Sequence, residues 1–133
     1  MREFDAFDLP DWLGVDPVCW QADSALTGGP HVTGHLTAHS DAQPLDLLAV
    51  DAAYPTVSCP ETHRRTAHQA WQLGELALVE VDSRVAAAVP GTGFDANLVC
   101  EVVRRLAKAV GADPAQFTVS IALSAATQVS SAP

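Results

Sequence analysis

The sequence is short of cations, of cysteine and of long apolar runs. Six Arg and one Lys stand against sixteen acidic residues in a chain of 133, a formal net charge of −9. That balance argues against general nucleic-acid binding and against anionic membranes, both of which need a cationic surface. No apolar run approaches the roughly 18 residues of a membrane-spanning helix, and the opening Met1-Arg2-Glu3-Phe4 has no apolar secretion core. Cys19, Cys59 and Cys100 make an odd count with no close pairing, which points to reduced thiols in a cytoplasm. No second cysteine pair completes a zinc motif and no internal repeat is present, so neither metal nor cofactor is expected.

What remains is a chain with 48% hydrophobic residues, long enough for one domain with its own core. The expected domain is 1–123, led by an acidic aromatic segment at 1–17 and followed by a flexible tail at 124–133. The clearest unit runs from Gly93 to Leu123. Asp95 stands as N-cap before Leu98, Val99, Val102, Val103, Leu106, Ala107 and Val110, which recur at helical spacing. Gly111 suits a left-handed C-terminal position, Asp113-Pro114 stops the helix, and Phe117–Leu123 alternates as a strand. Upstream, Val18–Leu26, His31–His39 and Leu45–Asp51 predict an antiparallel meander, the last strand apolar enough to be central. Pro60–Leu73 predicts a helix burying Ala67, Ala70 and Trp71 with His63 at the margin; Glu75–Val81 and Arg84–Val89 predict a hairpin around Asp82-Ser83. The order β-β-β-α-β-β-α-β implies an α+β fold: a two-layer sandwich, mostly antiparallel, with two helices packed on one face. Arg84–Val89, the second helix and Phe117–Leu123 should form a right-handed crossover if those strands are parallel.

Four constellations carry chemical possibilities. His31, His35 and His39 are spaced by four, but in a strand that spacing is ~13 Å, too far for one metal at His–metal distances of ~2.0–2.1 Å. Cys59 with His63 is the better pair, since a thiolate at a helix N-terminus is stabilised by the dipole and His63 follows one turn later. Gly91-Thr92-Gly93-Phe94-Asp95-Ala96 has dinucleotide-fingerprint spacing. It follows a hairpin, however, and sets the Asp95 carboxylate where a pyrophosphate would rest. Arg64, Arg65, Arg104, Arg105 and Lys108 place five of the seven cations on the two helices, a local basic surface on an acidic protein if the helices lie side by side. Phe4, Phe7 and Trp12, interleaved with Glu3, Asp5, Asp8 and Asp11, are either core plugs or a docking segment.

Several stretches, MREFDAFDLPDWLG, LLAVDAAYP, RTAHQAW, AVPGTGF and RLAKAVGA, resemble a family of small uncharacterised actinobacterial proteins. The element order, short length and acidity also resemble the type III secretion-chaperone-like fold shared by YbjN-like proteins. That second resemblance implies dimerisation and a chaperone-like role, with a shorter leading helix and an added last strand in this chain. The expected function is a non-enzymatic protein-binding or adaptor module that self-associates and takes a protein partner, using Phe4, Phe7, Trp12 and the arginines. The alternatives are a small enzyme using Cys59 with His63, and a small-ligand pocket near Trp20 or Trp71.

Overall fold

The computed structural model describes residues 2–3, 8–51 and 61–122, the first two as backbone only. Local signals fix the second helix. α2 (Ala96–Ala109) begins at Asp95, whose carboxylate accepts the Leu98 N–H at 2.7 Å. It ends where Gly111 adopts φ +78; Gly111 N–H then bonds Lys108 O at 3.0 Å and Ala112 N–H bonds Ala107 O at 2.8 Å. These two bonds make a Schellman cap. Asp113 then caps a 3₁₀ turn, Pro114–Gln116, which delivers the chain into the last strand.

The strands are β1 (Arg2–Glu3), β2 (Val18–Ala22), β3 (His31–Val32), β4 (Gly34–Ala38), β5 (Asp41–Pro44), β6 (Asp46–Ala49), β7 (Ala77–Val81), β8 (Arg84–Val89) and β9 (Phe117–Ser120). With α1 (Glu61–Gln72) they make the α+β fold implied by the element order, and five of the seven strand pairings are antiparallel. The hairpin turn falls at Asp82 and Ser83, both at positive φ as a type I′ turn requires.

The layering differs from the expected two. Two mixed sheets form, a larger one in the order β1-β7-β8-β6-β3 and a smaller one in the order β5-β4-β2-β9. In the larger sheet alternate residues serve two clusters. Leu48, Val50, Ala77, Val79, Val81, Ala86 and Ala88 join Ala67 of α1. Leu47, Ala49, Leu78, Val85, Ala87 and Val89 join α2 and the smaller sheet. Successive strand residues point to opposite faces, so the helices cover opposite faces of the larger sheet rather than sharing one. The physical reason is legible in β8, where Val85–Val89 is apolar without alternation and therefore needs cover on both sides. β8 and β9 fall in different sheets, and β9 pairs in parallel with β2, so the expected crossover does not form within one sheet.

The anticipated meander is replaced by a ribbon bent across both sheets. His31 pairs with Leu48 and Val32 with Leu47 in the larger sheet, while His35 pairs with Pro44 and Leu36 with Gln43 in the smaller. The register is unbroken through Thr33-Gly34 and Leu45-Asp46; the ribbon simply turns a corner there. Strands that switch sheets by a bend are the usual way two packed sheets share a corner. Trp20, fully buried, lies against Gly34, where an added Cβ would meet its indole at 2.3 Å. Its Nε1–H donates to Leu45 O at 2.9 Å, satisfying a carbonyl that the bend takes out of the ladder.

Candidate functional site

The densest polar cluster of the described residues sits on this corner. Asp46 is 1% exposed within an otherwise apolar run. Its oxygens accept Arg84 Nε at 3.1 Å and Nη2 at 2.9 Å, the Gly34 N–H at 3.3 Å, and His31 Nε2 at 3.1 Å. Arg84 also donates from Nη2 to Gly34 O at 3.0 Å and stands 3.7 Å from Asp23, whose other oxygen meets His35 Nδ1 at 2.6 Å. β8 supplies Arg84 as its first residue, and the bend supplies Gly34 and Asp46, so three elements converge on one carboxylate.

Asp46 has its acceptor capacity filled by a guanidinium, an amide and an imidazole. Such a carboxylate has no lone pair left for a substrate proton; its work is to satisfy backbone and side-chain donors at the corner. Burial pushes the Asp46 carboxyl up, but the hydrogen bonds from His31 and Arg84 outweigh it and hold the group below its ordinary value. The hydrogen bond to Asp46 raises His31 above its ordinary 6.5. The signs are opposite in consequence. Stability from His31 is complete below pH 6.5 and is lost as pH rises through its raised folded value. Stability from Asp46 is complete above 3.8 and is lost as pH falls through its lowered one. His31→Asn is therefore expected to cost more at pH 5.5 than at pH 8.5, by about 1 kcal/mol or less because His31 is partly exposed. Urea denaturation at the two pH values measures it, and an equal cost at both would remove protonated His31 from the network.

The three histidines each meet a different carboxylate. His31 belongs to the larger sheet and Asp46, His35 to the smaller sheet and Asp23, and His39 sits in the β4–β5 turn 3.7 Å from Asp16. Among the described residues no group of three His, Cys, Asp or Glu is placed to hold a metal ion. The Gly91–Ala96 turn spends its close approach on its own chain: a Cβ on Gly93 would stand 2.1 Å from Gly28 O, and Phe94 N–H bonds Gly29 O at 3.1 Å. Phe4, Phe7 and Cys59 lie outside the described residues. His63 lies on the sheet-facing side of α1 rather than at its margin, 7% exposed, and its Nδ1 has no hydrogen-bond partner among the described residues. Trp12 packs half-buried against the core beside Leu9 and Leu13, in a segment held by the 3₁₀ turn Asp11–Gly14.

The arginines divide between two grooves. Arg64 and Arg65 line one of about 340 Å³ with Glu61 and His68. Arg104, Arg105 and Lys108 line another of about 600 Å³, walled opposite by the α1–β7 turn at Leu73, Gly74, Glu75 and Leu76. Glu101 binds both Arg104 and Arg105, and the Arg105 guanidinium stacks 4.1 Å from the centroid of the Trp71 ring. A third hollow, about 360 Å³, lies between Leu9–Gly14 and Lys108–Gly111. Lys108 and Ala109 border both, so the last turn of α2 stands as a ridge between two depressions. Sequence periodicity placed Lys108 on the outer face of the helix but carried no signal for the two walls, which come from residues about 35 and 100 positions upstream. Compared with protein-family models, curated proteins and solved structures, the chain matches none.

Proposed function

We propose that this chain is a non-enzymatic protein-binding module, an adaptor working in a cytoplasm, and that it engages its partner over the C-terminal turn of α2. One observation carries the reading. The large hydrophobic residues left exposed among the described ones are Leu73, 77% exposed, and Val15, 71% exposed. Leu73 lines the larger depression, and Val15 follows directly on Gly14, which lines the smaller. Single exposed aliphatics are ordinary on a protein surface. One of them lining a depression and the other next in sequence to the lining of its neighbour, with Lys108 on the ridge between, have the anatomy of an apolar contact with a polar rim.

The polar cluster that most resembles an active site is committed to the corner of the fold, which favours binding over catalysis. No helix of the described residues is long and apolar enough to cross a membrane. The test is capture from the native cell lysate with the full chain as bait, compared with Leu73→Ser/Lys108→Glu. Both positions are solvent-exposed, so the melting temperature should stay within about 2 °C, as for surface substitutions generally. At least one protein should be retained by the wild type and lost from the variant. Identical capture profiles would remove this face from the function.

A further inference from the structure

We infer that the occupant of the groove beside Leu73 is a short acidic peptide segment carrying an apolar side chain. The inference rests on the protein-binding reading and adds the chemistry of the partner. Charge placement carries it. The chain holds seven cations against sixteen acidic residues, yet three of the seven, Arg104, Arg105 and Lys108, line this one groove. Glu101 takes one oxygen contact from each arginine, and a guanidinium presents five N–H donors, so most of their donor capacity remains. Arg105 Nε is enclosed, so the donors it offers the groove are those of its two terminal nitrogens. Lys108 stands exposed in the last turn of α2. Stacking on Trp71 holds the Arg105 plane in a fixed orientation. A fixed guanidinium can accept a carboxylate in a two-point contact with less loss of freedom than a mobile one.

The net charge limits the size of the anion. At −9 the whole molecule repels a polyanion, and local attraction extends only over a Debye length of about 8 Å at physiological salt. Nucleic acid is disfavoured on that ground. One or two carboxylates next to an aliphatic or aromatic side chain fit instead, the carboxylates on Arg105 and Lys108 and the apolar group on Leu73. Glu75, on the opposite wall, repels carboxylates that reach across the groove and so restricts them to the α2 side.

The experiment selects from a displayed library of random 12-residue peptides on the immobilised full chain. Enriched sequences should carry at least two Asp or Glu flanking an apolar residue. Their affinity should fall by about tenfold or more in Arg104→Glu/Lys108→Glu, because reversal sets like charges against each other, and should weaken between 50 and 500 mM salt (roughly a threefold change in Debye length). Both substituted residues are exposed, and an unchanged melting curve confirms that the variant folds. Enrichment of neutral or basic peptides, lost on Leu73→Ser but kept in the charge-reversed variant, would overturn the acidic occupant and leave the protein-binding face standing. No enrichment over bare support would overturn the peptide occupant and leave the protein-binding face to the lysate comparison. Light scattering of the chain alone supplies the remaining outcome: a dimer that becomes monomeric on charge reversal assigns the groove to a second copy and overturns the peptide.

Discussion

Arg84→Met is expected to lower the unfolding free energy by about 3 kcal/mol at neutral pH, the lower end of the range for breaking a buried ion pair. Methionine keeps much of the side-chain volume but leaves the Asp46 carboxylate, 1% exposed, without the guanidinium that meets both its oxygens. It also strips a donor from Gly34 O. The lower end applies because Arg84 is itself partly exposed and the freed site can admit water. Asp46→Asn removes the charge but keeps an acceptor for the Gly34 N–H, so adding it to Arg84→Met should recover part of the loss. Guanidinium denaturation of the two single variants and the double one should give a coupling of about 1–3 kcal/mol, the range for residues in one network. Additive losses would mean that the two side chains do not act through each other. Arg84→Lys should fall between wild type and methionine, because one ammonium cannot present a planar fork to Asp46 and reach Gly34 O as well.

Trp20→Ala is expected to cost about 3–5 kcal/mol, as for other large aromatic truncations in a core. The ring is wholly buried and its Nε1–H is the donor that satisfies Leu45 O at the bend. Gly34→Ala attacks the same contact from the other side. The new Cβ would stand 2.3 Å from Cζ2 of the indole and 2.8 Å from Gln21 O, and overpacking of this kind costs about 1–3 kcal/mol or more. Because the first obstacle is the tryptophan itself, Gly34→Ala should be cheaper in a Trp20→Leu background than in the wild type. Chemical denaturation of that four-member cycle checks it; an unchanged cost would place the conflict with Gln21 O instead.

The parts of this fold that were readable in the sequence are those with local causes. Asp95, the apolar spacing through Val110, Gly111 and Asp113-Pro114 each act within a few residues, and α2 and its caps follow from them. The Asp82-Ser83 hairpin is local in the same sense. The corner is not. Since the ribbon keeps its register through the bend, His31–His39 alternates as a flat strand would, and periodicity is blind to the change of sheet. One signal was present: a lone glycine inside a strand pattern marks a bulge or a close approach, and Gly34 is both bend and seat for Trp20. Asp46 was a second signal, a charge inside Leu45–Val50, but its partner Arg84 lies 38 residues away. The helices were expected on one face because sequence order does not say which side of a sheet each helix takes. The candidate site shares that difficulty: Arg104 and Arg105 are legible on their own helix, whereas Leu73 and Val15 acquire interest only through what folds beside them.

The bent ribbon also ties the two sheets together mechanically. Each arm, β3–β4 and β5–β6, contributes hydrogen bonds to both sheets, so neither sheet is a separable module. Opening the smaller sheet pulls through β5 on β6, which pairs with β8, and opening the larger one pulls through β3 on β4, the antiparallel partner of β2. Two sheets that share their backbone in this way are expected to unfold together, as small single domains usually do. A corner of four residues is therefore expected to give the chain a single unfolding event.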